Sequence, residues 1–326
     1  MVNYALRRLA ETAFLLLVMS FLIYSLIGLM PGDPIDVMIS TDPNVTSEDA
    51  SRLKALYGLD RPLLERYGEW LWWALQGDLG YSRLYSQPVI EILGPRLINT
   101  LLILGTSLAA AILIAFPAGI FAALKAGGWF DRVINFIAFA GFSIPSFWLG
   151  LLLIMLFSIF LGWLPAGGTA TITASDAPLT GLDYWLDRLR YMALPVVTLT
   201  LLTAGTFIRF IRASMIETLR EPFIRTARAK GVGMWRLVMN HALRHAMIPV
   251  MTVIALNFGT MFSGTLVVET MFAYLGTGKL IYDAILGNDY NLALAALMLA
   301  TLVTLLANVL ADFWYFWLDP RIEVDG

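Results

Sequence analysis

The chain has 326 residues, 59% of them hydrophobic and 14% charged, with a formal net charge of −2 and a mean hydropathy of +0.74. Soluble domains carry about 25% charged residues, so a single soluble core cannot hide this much apolar surface. Disorder is excluded by the apolar content, a nucleic-acid binder by the absence of net positive charge, and disulfide scaffolds, thiol redox chemistry, thiolate metal sites and cysteine nucleophiles by the absence of cysteine.

A helix of about 20 residues crosses the roughly 30 Å hydrocarbon of a bilayer. Taken in chain order, uncharged runs of that length predict an all-α membrane protein with six transmembrane helices. Residues 1–11 form a short N-terminal arm bearing Arg7 and Arg8, and the first span covers 12–30. Its apolar stretch is longer than that of a secretory signal, and no small-x-small cleavage site follows, so it reads as an uncleaved helix ending in the turn Pro31-Gly32-Asp33-Pro34. Residues 31–96 form a large loop. Within it, Thr46 or Ser47 caps a short helix through Ala55 that Gly58 ends, and Asp60 with Pro62 opens a second through Trp73. Trp70, Trp72 and Trp73 suit that second helix to the membrane interface.

The second span covers 97–124. The third covers 133–164, ending near Trp163-Leu164-Pro165. The fourth, 191–208, is the shortest, and the fifth covers 246–268. The sixth covers 290–318, of which Tyr290 to Ala311 is uncharged, and 319–326 is the tail. Pro117, Pro145 and Pro249 are expected to kink spans two, three and five. No span has a charge at its middle. With both termini placed in the cytoplasm, 13 of the 22 Lys and Arg fall inside, eight of them between Arg209 and Arg244. That asymmetry favours the orientation.

The loop 209–245 carries the strongest local signal, Glu221-Pro222-Phe223-Ile224-Arg225-Thr226-Ala227-Arg228-Ala229-Lys230-Gly231. Proline at an early helical position and glycine at the end bracket a helix of about nine residues. So short a helix persists only when docked. Phe223 and Ala227 share a face with Ile224 beside them, rimmed by Arg225, Arg228 and Lys230. This pattern suits a peg for a protein partner and equally a helix lying on anionic headgroups.

The loop resembles the EAA loop of ATP-binding-cassette importer permeases, in the wording of the oligopeptide/dipeptide/nickel family. The likeness runs almost end to end, through Arg7-Arg8-Leu9, Pro31-Gly32-Asp33-Pro34, Tyr57-Gly58-Leu59-Asp60-Arg61-Pro62, Gln76-Gly77-Asp78-Leu79-Gly80 and Arg96-Leu97-Ile98-Asn99-Thr100. It continues with Ser143-Ile144-Pro145-Ser146-Phe147-Trp148-Leu149-Gly150, Arg225 to Gly231, His241-Ala242-Leu243-Arg244 and Asp319-Pro320-Arg321. Two segments depart from the family wording, Tyr274-Leu275-Gly276-Thr277-Gly278 and Asn288-Asp289-Tyr290-Asn291, and both are expected to face an external binding protein or the path entrance.

The resemblance implies the type I importer transmembrane fold, with a large first periplasmic loop, in a bacterial or archaeal cytoplasmic membrane. It implies a non-catalytic permease without cofactors of its own. Its partners would be a second homologous permease, two ATPase subunits carrying ATP and Mg, a periplasmic or lipid-anchored binding protein, and membrane lipid. Glu221 to Gly231 would be the ATPase-coupling helix. Peptides are the expected substrate, with nickel chelates, glutathione and oligosaccharides as alternatives. A secondary transporter or channel is the rival of another class, and it would want charged ion sites at the midplane.

Other constellations read as structural. His241 and His245 share a helix spacing but lack a third metal ligand. Glu269 and Asp312 sit at span ends and are expected at the interface. Asn257 and Asn308 suit helix-to-helix hydrogen bonds. Leu275-Gly276-Thr277-Gly278-Lys279 fails as a P-loop and reads as a turn.

Overall fold

The computed structural model describes residues 2–29, 61–171 and 180–318, with side chains at 2–6, 258–260, 263 and 312–318 excepted. The expected turn at 31–34, the short helix through Ala55, the Tyr57–Asp60 motif, the Asp312 side chain and the 319–326 tail lie outside the described residues. The chain divides into two compact units, 1–100 with 275–306, and 101–274 with 307–326.

The described chain is mostly helical. Five helices are long and apolar enough to cross a membrane, or six if one sharply bent pair counts as a single span. Hydroxyls inside these helices bond back to their own backbone, Ser20 to Leu17 O, Thr198 to Leu194 O and Thr301 to Leu297 O among them. Hydrocarbon offers no other partner for such groups.

In the first unit, α1 (Val2–Gly28) carries α2 (Leu63–Leu75) along its side. Phe21 and Tyr24 meet Tyr67 and Trp70 ring to ring, and the Ser20 and Tyr67 hydroxyls lie 2.7 Å apart. Trp70 thus turns inward, while Trp72 and Trp73 are exposed. A two-residue hairpin, β1 (Tyr81–Ser82) with β2 (Gln87–Pro88), leads into α3 (Val89–Leu124). Helix α3 starts eight residues before the expected second span.

The second unit contains α4 (Trp129–Ser143) and α5 (Ser146–Leu153), the latter continued as a π-helical stretch, Ile154–Phe160. The expected third span therefore divides, with a bend of 105°. The cause is Pro145, which removes an N–H and forces the preceding residue out of helical geometry. Ile144 is extended, at φ −79° and ψ 127°.

Next comes α6 (Gly181–Thr218), a short α7 (Pro222–Ala229), and α8 (Met234–Arg236), which passes through a π-helical Leu237–Ala242 into α9 (Leu243–Met271). Helix α6 is far longer than the expected 191–208, because charged residues end an uncharged run without ending a helix. Glycines let it approach its neighbours: a Cβ on Gly205 would stand 2.5 Å from Ala138 O, and one on Gly141 2.8 Å from Leu201 O. Small residues at such crossings are the usual route to close packing in membranes.

The chain returns to the first unit with α10 (Thr277–Leu286) and the start of α11 (Tyr290–Leu318). The glycine-rich segment expected as a turn is thus the entry to a ten-residue helix. The Thr277 N–H donates to Thr100 Oγ1 at 2.8 Å, and Asn99 Nδ2 donates to Leu275 O at 2.8 Å.

Candidate functional site

Helix α7 is bracketed as its composition dictates. Glu221 is extended at its N-terminus and Pro222 takes the first helical position. At the other end Gly231 has φ +77°, the Gly231 N–H donates to Arg228 O at 3.0 Å, and the Val232 N–H donates to Ala227 O at 3.2 Å. This pair of bonds is the Schellman motif, in which a left-handed residue satisfies the last carbonyls.

The helix is held by the chain itself. Ile224 is 1% exposed, in a core with Ile211 and Met215 of α6, Leu237 and Val238 of the π-helical stretch, and Ala246 and Val250 of α9. Ala227 and Val232 pack against the same core. Phe223 and Ala227, expected to share one contact face, part company: Ala227 turns to the core, while Phe223 lies across His245, with ring centroids 4.7 Å apart, and is 38% exposed. The face left open therefore presents Phe223 with Arg225, Thr226, Arg228 and Lys230, all exposed.

Two contacts brace the helices behind α7. Arg212 of α6 donates to both carboxylate oxygens of Asp131 at the start of α4, Nη2 to Oδ2 at 2.7 Å. Asp131 also accepts from the Gly127 N–H at 2.8 Å and from Asn135 Nδ2 at 2.7 Å, and is nearly buried. The second brace is Ser214 Oγ, which donates to Ala246 O of α9 at 2.7 Å. Neither Asp131 nor Arg212 stood out in the sequence. An Asp three residues after a double glycine was the available signal for the first, and nothing local pointed to its partner.

The remaining candidates resolve as follows. Among the described residues no three metal-capable side chains converge, and His245 is engaged with Phe223. Asn257 donates to Val253 O of its own helix at 2.9 Å. Glu269 lies near the C-terminal end of α9, as expected of a residue at a span end, and its side chain is buried within the protein. Beyond it, burial pushes the Tyr274 phenol above its ordinary pKa, against the pull of Arg188.

In the first unit Asp289 is nearly buried and accepts from Ser82 Oγ at 2.6 Å and from the Leu84 N–H at 3.0 Å. Asn291 Nδ2 donates to Tyr81 O at 3.3 Å. The Asn288–Asn291 segment, expected to face outward, is therefore engaged with the hairpin.

These long apolar helices and close glycine crossings are those of a multi-pass membrane protein. The description "Binding-protein-dependent transport system inner membrane component" matches residues 115–324, and its N-terminal counterpart matches residues 1–103. The chain belongs to that family. It is an inner-membrane permease of an ABC transporter, non-catalytic itself, with ATP hydrolysed by partner subunits. Among its relatives, the oligopeptide transport system permease protein AppB of Bacillus subtilis is 35% identical over 324 residues, covering 99% of this chain and 100% of the relative. The glutathione transport system permease protein GsiC of Escherichia coli O6:H1 is 36% identical over 323 residues, covering 99% of each. The fold is similar to that of a chain in a crystal structure of inward-facing conformations of the MetNI methionine ABC transporter. That likeness has a TM-score of 0.57 at 17% identity, covering 71% of this chain and 97% of that one.

Proposed function

We propose that the chain is the permease of an ATP-driven importer for peptides, moving substrate delivered by an external binding protein by alternating access. In this reading the chain crosses the membrane six times, with both termini in the cytoplasm, 31–96 outside, and α4 and α5 together serving as the third span. The observation that carries the substrate class is the end-to-end match to an oligopeptide permease at 35% identity. Glutathione, itself a small peptide, fits the same reading through a relative of equal similarity.

Two ATPase subunits bind ATP and Mg inside the cell, and a second homologous permease completes the pathway. Residues Glu221 to Gly231 couple the two layers. A coupling element must hold its shape while its partner moves. Ile224 seated in the core, with Phe223, Arg225 and Arg228 left open, supports that role. The test is uptake by cells carrying the whole transporter. Ala227→Asp or Gly231→Pro is expected to abolish peptide uptake while the subunit still inserts and the ATPases still copurify with the wild type. Unchanged uptake in both variants would overturn the coupling assignment.

A further inference from the structure

Arg209 sits on α6 one helical turn from Arg212, yet the two guanidinium groups behave differently. Arg212 takes the carboxylate of Asp131 in the first turn of α4. Arg209 meets no carboxylate among the described residues. Its guanidinium lies 4.5 Å from the ring centre of Phe139 and 5.8 Å from that of Phe142.

Those rings belong to residues eight and eleven positions beyond Asp131 along α4, about 12 and 16 Å of helix rise at 1.5 Å per residue. Even after the backward tilt of helical side chains by about one turn, the charge lies further into the apolar stretch than Asp131 does. Arginines near a span end ordinarily bend toward the water at that end. Arg209 reaches the other way.

A guanidinium is always charged and has five donors to satisfy. Two ring faces satisfy its charge in part and its donors weakly. Hydrocarbon would satisfy neither. A hydrated space in front of Arg209 would satisfy both, and Phe139 and Phe142, 53% and 62% exposed, flank the guanidinium. A lone guanidinium with open donors, flanked by two aromatic rings, is chemistry for a carboxylate attached to an apolar or peptide body.

We propose that Arg209, with Phe139 and Phe142, forms a binding site for the C-terminal carboxylate of a peptide on a hydrated path through this subunit. The site rests on the peptide-importer reading and names the group of the substrate that is held.

Two experiments on the complete transporter in membranes test it. The chain has no cysteine, so Arg209→Cys places a single thiol in this subunit. A charged, membrane-impermeant methanethiosulfonate, added with access to both faces, should modify it. A thiol that stays unmodified overturns the hydrated site. The second experiment compares uptake of a free-acid tripeptide with that of its C-terminal amide. Arg209→Gln should lower free-acid uptake by about tenfold, the worth of one charge-assisted hydrogen bond. Amide uptake should change little, and Arg209→Lys should retain more free-acid uptake than Arg209→Gln. No loss, or equal loss for acid and amide, overturns the carboxylate assignment. Wild-type uptake of neither peptide would overturn the peptide reading itself and this assignment with it, whereas a failure confined to Arg209 leaves wild-type uptake intact.

Discussion

Arg212 and Asp131 are joined by two parallel hydrogen bonds across 81 residues of chain, fastening the first turn of α4 to the far end of α6. The carboxylate is almost out of solvent and the guanidinium side chain keeps 26% of its exposure. Removing one partner of a fully buried pair costs about 3–5 kcal/mol, and the exposure of Arg212 lowers the expected cost of Asp131→Asn to about 2–3 kcal/mol. The thermal unfolding midpoint of the detergent-solubilised transporter should fall by several degrees. The exchanged pair, Asp131→Arg with Arg212→Asp, should recover part of that loss. A midpoint unchanged in Asp131→Asn would show that the pair contributes nothing.

Gly231 is held at φ +77°, and an added Cβ would meet nothing within 4 Å. Its requirement is one of backbone angle alone. Gly231→Ala should cost about 1–2 kcal/mol of local stability, and Gly231→Asn less, since Asn tolerates the left-handed region. Gly231→Pro cannot adopt the angle and removes the N–H bonded to Arg228 O. Peptide uptake should therefore fall in the order Gly, Asn, Ala, Pro. Equal activity in the Ala and Pro variants would contradict the capping argument.

Helix α9 ends in the same motif with the wrong residue for it. Ala273 has φ +47°, with its N–H bonded to Thr270 O and the Tyr274 N–H bonded to Glu269 O. The equivalent places after α2 and α10 hold Gly77 and Asn288. Ala273→Gly should relieve about 1 kcal/mol of strain and raise the unfolding midpoint. A lower midpoint would mean that the Ala273 methyl contributes packing that outweighs the strain.

Asp289 ties the β1–β2 hairpin to the turn before α11 through Ser82 and the Leu84 N–H. Asp289→Ala leaves both donors without their carboxylate and should cost about 2–3 kcal/mol, against about 1 kcal/mol for Ser82→Ala. Limited proteolysis within residues 76–88 should speed up in Asp289→Ala more than in Ser82→Ala. Equal rates in both variants and the wild type would sink the clamp.

What was legible in the sequence depended on range. Helix α7 was readable because proline and glycine act on their own backbone angles, and Pro145 was readable as a kink for the same reason, though not as a break of 105°. Which apolar side chain seats α7 was not readable. Phe223 and Ile224 are adjacent on a short helix, and only the position of the α6 and α9 core decides that Ile224 enters it. Charges marked where apolar runs stop, so α6 was read as ending before Arg209. The helix continues through Thr218, because a bilayer limits where charge can sit and not how far hydrogen bonding extends. Pairings such as Ser82 with Asp289, 207 residues apart, leave no local pattern.

Helix α6 has 38 residues, about 57 Å at 1.5 Å per residue, against about 30 Å of hydrocarbon. One continuous rod thus carries Arg188 toward its first end and Thr218, four residues before Pro222, at its last. Thermodynamic coupling is reciprocal, so a displacement imposed at either end of α6 acts on the other through a common beam. Pro195 is where that beam is soft, since proline is where helices bend. Replacing it by alanine would restore the backbone N–H that proline lacks and stiffen the helix between its two ends.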